Sequence, residues 1–245
     1  MSLLNVPNEL LLLIAKHLGA RDLSNFVSTS RHLAVVLTPL LHEFAVQDKD
    51  GLPALEWAAI EGYEELVCVI LARKAAEERS DISWTKGALH QASAYGHDAI
   101  VRRLLTSGAG IDVHSRLDGQ TALHYSARYG KEAVLRVLLE SGADVNARDG
   151  RSKDTGLHFA IHGYEGIAGG RKMEDERGIW RTFNGPGRTF SSVRNGFYDS
   201  LKVLLEHGAD VRMKDSCGRT PLDIARKYRL RDAVSLLEVR LKPNL

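Results

Sequence analysis

Four leucines, Leu55, Leu89, Leu123 and Leu157, recur at intervals of 34 residues. A fixed period of that length marks a solenoid, in which each short unit buries its apolar face only by stacking on its neighbours. The unit is clearest around Leu123. It opens on Asp118-Gly119-Gln120-Thr121-Ala122-Leu123-His124-Tyr125-Ser126-Ala127-Arg128-Tyr129-Gly130, continues with Val134-Leu135-Arg136-Val137-Leu138-Leu139, and closes on Ser141-Gly142-Ala143-Asp144-Val145-Asn146-Ala147.

Each segment has a physical reason. The Asp-Gly pair makes a tight turn, and Thr121 caps a short inner helix whose small residues permit close stacking. The Val-Leu-x-x-Leu-Leu stretch supplies the buried stripe of an outer helix, which Gly142 ends in a left-handed conformation, as Gly108 and Gly208 do in their copies. The unit resembles the ankyrin repeat, and the resemblance implies an all-α solenoid of five helix-turn-helix repeats with β-hairpin turns. The expected boundaries are about 50–82, 83–116, 117–149, 150–214 and 215–241. The first copy has Lys74 where the terminal glycine should stand, so its outer helix is expected to run on through Ala75–Glu78. The last copy places Arg226, Lys227, Arg229 and Arg231 on its solvent side, as suits a polar cap. The fourth copy starts at Thr155-Gly156-Leu157-His158 and resumes at Gly196, which leaves an insertion over residues 164–195. Its six glycines suit a flexible loop, while Ile167, Ile179, Trp180, Phe183, Phe190 and Val193 suit an ordered lid or an extra recognition element, and both readings stand as expectations.

Composition adds little direction. The chain has 245 residues, 44% of them hydrophobic, and its net charge of +2 is the small difference between 33 basic and 31 acidic residues. Neither nucleic acid nor an anionic lipid surface is favoured by such a balance. Two cysteines, Cys68 and Cys217, make no disulfide framework, and the apolar run Leu10–Ala15 is far too short to span a membrane. A cytoplasmic or nuclear location is the expectation.

Ahead of the repeats stand Asn5-Val6-Pro7-Asn8-Glu9-Leu10-Leu11-Leu12-Leu13-Ile14-Ala15-Lys16-His17-Leu18, then Arg21-Asp22-Leu23 and Ser30-Arg31-His32-Leu33. This segment, taken as residues 1–45, resembles an F-box, and fungal-type F-box proteins carry ankyrin repeats behind such a segment. The resemblance implies docking of a Skp-type adaptor of a cullin ubiquitin ligase through Pro7, Leu10, Ile14, Leu18 and Leu23. Where the family ends in an aromatic residue this chain reads Ser30-Arg31-His32-Leu33, and the alternative expectation is that Leu10, Ile14 and Leu18 pack against repeat one as a helical cap.

His90, His124 and His158 recur at one position of the repeat. Successive repeats lie about 10 Å apart, too far for side chains that must each come within about 2 Å of one ion. No metal is expected, and the resemblance implies that these histidines hydrogen-bond neighbouring hairpins. The groove positions, by register, are Ile60, Glu61, Trp84, Lys86, Tyr95, Asp118, Gln120, Arg128, Tyr129, Asp154, His162, Arg219, Lys227 and Tyr228, joined by Trp180 and Phe183 of the insertion. Tyr95, Tyr129 and Tyr228 share one repeat position, and such aromatic residues beside arginine are typical anchors of a recognition surface.

No Gly-x-Ser-x-Gly, His-Glu-x-x-His or Cys-x-x-Cys motif is present, and no cofactor is expected. The leading expectation is a protein-binding adaptor, a substrate receptor whose groove recognises a target for ubiquitylation. One alternative is an ankyrin scaffold used as a small-molecule cyclase or isomerase of fungal secondary metabolism. Its ligand would lie beneath the insertion against Arg128, Tyr129, Asp154 and His162. Another is a plain interaction protein.

Overall fold

A computed structural model describes residues 11, 13–14, 54–76, 85–168 and 190–241. Among the described residues no strand is found; ten helices run between Ala54 and Leu241, and Leu11, Leu13 and Ile14 are helical as well. The chain divides into two compact units, residues 1–88 and 89–245.

In the first unit α1 (Ala54–Glu61) packs on α2 (Glu64–Ala76), with Leu55, Ala58, Ala59, Leu66, Val67 and Ile70 buried between them. The Trp57 and Tyr63 rings meet at 5.2 Å across the turn. Helix α2 continues past Lys74, as the missing glycine implies, and is described as far as Ala76. Leu11 is fully buried, whereas Leu13 and Ile14 are 57% and 45% exposed. Pro7, Leu10, Leu18 and Leu23 lie outside the described residues, as do Glu78 and Trp84.

Helix α3 (Thr85–Tyr95) leads into the second unit, which continues with α4 (Asp98–Thr106), α5 (Ala122–Arg128), α6 (Glu132–Glu140), α7 (Gly156–Ala168), α8 (Phe190–Glu206), α9 (Pro221–Lys227) and α10 (Arg231–Leu241). The first helices of the repeats form an inner layer, α5 on α7 on α9, and the second helices an outer layer, α4 on α6 on α8 on α10. The outer helices α4 and α6 are strongly amphipathic, and in α6 Val134, Leu135, Val137, Leu138 and Leu139 are all buried. Thr220 begins α9 with a reciprocal cap: the Asp223 amide donates to its hydroxyl at 3.2 Å, and its own amide donates to Asp223 Oδ2 at 2.9 Å. The basic end of the last repeat faces solvent, where Arg226 pairs with Glu238 at 2.7 Å.

Three outer helices end identically. At Gly108, Gly142 and Gly208 φ is +90°, +93° and +86°, and the following alanine amide reaches back to Leu104, Leu138 or Leu204 at 3.0 Å. This is the left-handed termination the sequence predicts. Nothing lies within 4 Å of a Cβ placed at Gly142, so only backbone strain opposes a side chain there. Gly142→Val is expected to lower stability by about 1–2 kcal/mol in urea unfolding, and an unchanged midpoint would contradict the repeat register.

The hairpin turns carry no strand among the described residues: each closes on one principal backbone bond, such as Ser115 to Gln120 at 2.8 Å and Asp149 to Asp154 at 2.9 Å. Single bonds from Gly150 to Gly119 and from Ser216 to Ser152 link neighbours, too few to build a ladder. Within the expected insertion 164–195, α7 runs on to Ala168 and α8 is described from Phe190.

Candidate functional site

The repeated histidines hold the inner layer together. The Thr121 amide donates to His124 Nδ1 at 3.0 Å, which fixes the proton on Nε2, and Nε2 then donates to the Ala147 carbonyl at 3.0 Å. His90 reaches the Val113 carbonyl at 2.9 Å and His158 the Arg219 carbonyl at 3.2 Å. Each of the first two rings also meets an aromatic ring of the next repeat, His90 with Tyr125 at 5.4 Å and His124 with Phe159 at 5.2 Å. Burial lowers the pKa of all three, that of His124 to about 4, against the opposing pull of the carbonyl each one bonds. These are structural, neutral imidazoles. No cluster suited to a metal exists among the described residues.

The groove positions fall into two groups. Asp118, Gln120, Asp154 and Arg219 sit where the hairpins enter the inner helices. Asp118 accepts from the Tyr125 hydroxyl at 2.9 Å and from the Gln120 amide at 3.1 Å, and Arg219 pairs with buried Asp215 at 2.7 Å. Gln120 Oε1 and Asp154 Oδ1 are buried with no hydrogen-bond partner. Arg128, Tyr129, His162 and Tyr228 belong to the opposite end of the inner helices. There the Arg128 guanidinium lies 5.8 Å from the Tyr129 ring centre, and the His162 and Tyr228 rings meet edge-on at 6.1 Å. Seven residues of helix place these ends about 10 Å apart, so Asp154 stands at the other end of the inner layer from Arg128, Tyr129 and His162.

Of the remaining positions, Ile60 is buried while Glu61 and Lys86 are half-buried in the first unit, and Lys227 is exposed. Trp180 and Phe183 lie outside the described residues. Tyr95, Tyr129 and Tyr228 are half-buried, but their row is broken in the fourth repeat, where the same position is Gly163.

That glycine exposes a residue sequence reasoning missed. A Cβ at Gly163 would collide with the Arg128 carbonyl oxygen and the Phe197 ring, and one at Gly130 would sit 3.1 Å from that ring. Gly196 closes the cradle, since its Cβ would lie 2.9 Å from the Gly130 carbonyl oxygen. Phe197, 1% exposed, is thereby seated between α5, α7 and α8, and it anchors the chain as it returns from the insertion.

Beside this anchor an open cleft of about 520 Å³ runs between Tyr95, the Gly130-Lys131 turn, the start of α6 at Glu132, and Asn195 and Asp199 of α8. None of Arg128, Tyr129, Asp154 and His162 lines it. Asp199 is drawn to Lys202 at 3.4 Å and Glu132 to Arg136 at 2.9 Å, so the acids on its rim already serve helix surfaces.

The opposite, hairpin edge is arranged by charge. Asp149 accepts from the amides of Ser152 at 3.1 Å and Asp154 at 2.7 Å, and Asp215 from those of Cys217 and Arg219 at 2.8 Å. Both carboxylates are buried, as is Asp154, whereas Arg116, Arg148, Arg151, Lys153, Arg212 and Lys214 are exposed. Turn formation has drawn these three acids inward and left the six bases outward, while Asp144 and Asp210 stay exposed.

Family models described as ankyrin repeats in three copies match residues 55–149 and 89–168, and one described as ankyrin repeats in many copies matches residues 193–237. No curated protein matches the chain.

Proposed function

The chain belongs to the ankyrin-repeat family, and we propose that it is a substrate receptor of a cullin-type ubiquitin ligase: the repeats hold the target, and the F-box-like residues 1–45 engage a Skp-type adaptor. Ankyrin repeats bind protein partners, and no helix among the described residues is long and apolar enough to cross a membrane. The observation that carries the finer reading is the exposure of Leu13 and Ile14 beside fully buried Leu11. A segment that merely capped repeat one would turn such side chains inward, because burying a leucine or isoleucine contributes about 1.5–3 kcal/mol. Two adjacent branched apolar residues left in water are instead what a docking helix presents before its adaptor covers them. Pro7, Leu10, Leu18 and Leu23 complete that surface in the F-box-like reading.

The recognition surface for the target is assigned to the second unit. Its hairpin edge offers exposed cations and carbonyl-bonded arginines, and its helix-end cleft offers Tyr95 and a glycine floor. The full chain is expected to co-purify with a purified Skp-type adaptor. Leu13→Asp with Ile14→Asp is expected to lose that binding while leaving the helical circular dichroism unchanged. A wild-type chain that does not bind the adaptor would remove the ligase reading.

A further inference from the structure

In the third and fifth repeats the hairpin tip turns through glycine, Gly119 at φ +71° and Gly218 at φ +77°. The fourth repeat puts Lys153 in the same place at φ +56°. A side chain in that left-handed region is strained, and non-glycine strain of this kind concentrates where a chain must hold a group in a fixed place for a ligand. Lysine has no local hydrogen bond to offer in return, unlike asparagine or aspartate. The exposed ammonium it carries is what distinguishes this tip from its neighbours.

Its surroundings share that character. Arg148 donates through Nε to the Lys153 carbonyl at 3.3 Å and through its terminal nitrogen to the Lys214 carbonyl, while Arg151 donates to the Leu117 carbonyl. Two of these bonds link successive hairpins and the Arg148–Lys153 bond closes one, each through a carbonyl oxygen. Lys153, Arg212 and Lys214 stand beside them on the same edge, all exposed. Of the acids on the edge, Asp149, Asp154 and Asp215 are buried beneath it, Asp112 and Asp118 are half-buried, and Asp144 and Asp210 are exposed while accepting from the amides of Asn146 and Arg212 at 2.9 Å, so six exposed cations outnumber two exposed carboxylates. Leu117, 66% exposed, adds one apolar knob next to the cations.

We infer that the hairpin edge of repeats three to five is a docking strip for an acidic polypeptide segment, a run of aspartate and glutamate carrying an apolar side chain for Leu117. Fixed cations spaced along successive hairpins match carboxylates on an extended chain, and the apolar knob sets its register. The base edges and stacking platforms that nucleic-acid recognition uses are not served by this strip, which has no exposed aromatic ring among its described residues. This inference deepens the reading of the repeats as the target-binding module and rests on it.

The test uses the full chain and a fluorescein-labelled peptide of about twelve residues, Asp and Glu with one central Leu, titrated at low and at physiological salt. Binding is expected, weaker at the higher salt. Arg151→Glu with Lys214→Glu is expected to weaken it by at least about tenfold. Lys153→Gly gives the sharper readout, because it relieves backbone strain: it is expected to raise the melting temperature and to weaken peptide binding by about threefold or more. Absence of peptide binding, equal binding by both variants, or tighter binding of an oligonucleotide of the same charge would each overturn the inference. Adaptor binding that persists while peptide binding is absent would leave the ligase reading standing and remove only this one.

Discussion

Phe197→Ala is expected to lower the stability of the second unit by about 3–5 kcal/mol, as large aromatic truncations in a closed core do. The ring has 1% of its surface exposed and lies against positions where three glycines, Gly130, Gly163 and Gly196, leave room for it. Neither α5 nor α7 can close the void, because their approach is set by the contact of Gly163 with the Arg128 carbonyl. The converse change, Gly163→Ala, is expected to cost about 2–3 kcal/mol by overpacking the same site. In the Phe197→Ala background it should cost less, since only the carbonyl collision remains, and that coupling distinguishes a shared cradle from two unrelated defects. Urea unfolding followed by circular dichroism reads all three; a loss below about 0.5 kcal/mol for Phe197→Ala would place the ring elsewhere.

Acid is expected to unfold the repeats at a pH where most solenoid contacts are untouched. Above pH 6.5 the histidines are neutral in both folded and unfolded chains. As pH falls through 6.5 the unfolded chain takes up protons that buried His124, with its pKa lowered to about 4, cannot accept without leaving its place. Stability present above pH 6.5 is therefore lost progressively down to about pH 4, by roughly 3 kcal/mol for His124 alone. His90 and His158 shift the same way, also through burial, and deepen the loss. Asp223, lowered by the Thr220 amide and hydroxyl, acts in a separate window below its ordinary 3.8. His124→Gln should be less stable at pH 7 and should show a shallower pH slope between 6.5 and 4. An unaltered slope would mean that the imidazole is not buried as a neutral ladder member.

Much of the repeat array is legible in the sequence because its code is local. Leu123, His124 and Gly142 each do their work within one repeat or with the next one, and the spacing of 34 residues announces them. Structure departs from that reading where contacts are non-local. Gly163 and Gly166 look like loop glycines, yet α7 passes through both, since what Gly163 serves is the approach of Phe197 from 34 residues further on. Phe197 itself stands among ordinary residues after Gly196 and carries no signal until the repeats are stacked. Lys153 hides for the opposite reason: lysine is not a turn residue, and only comparison with Gly119 and Gly218 in register exposes its backbone. Of the groove residues, two groups stand at opposite ends of the inner helices, a separation that a linear alignment of repeats does not resolve.

The most direct test of the two-module account is amide hydrogen exchange of the full chain with and without a saturating Skp-type adaptor. The account predicts new protection around residues 11–14 and none in the hairpins of repeats three to five, which stay free for the target. Protection that falls on those hairpins, or no protection anywhere, would contradict it.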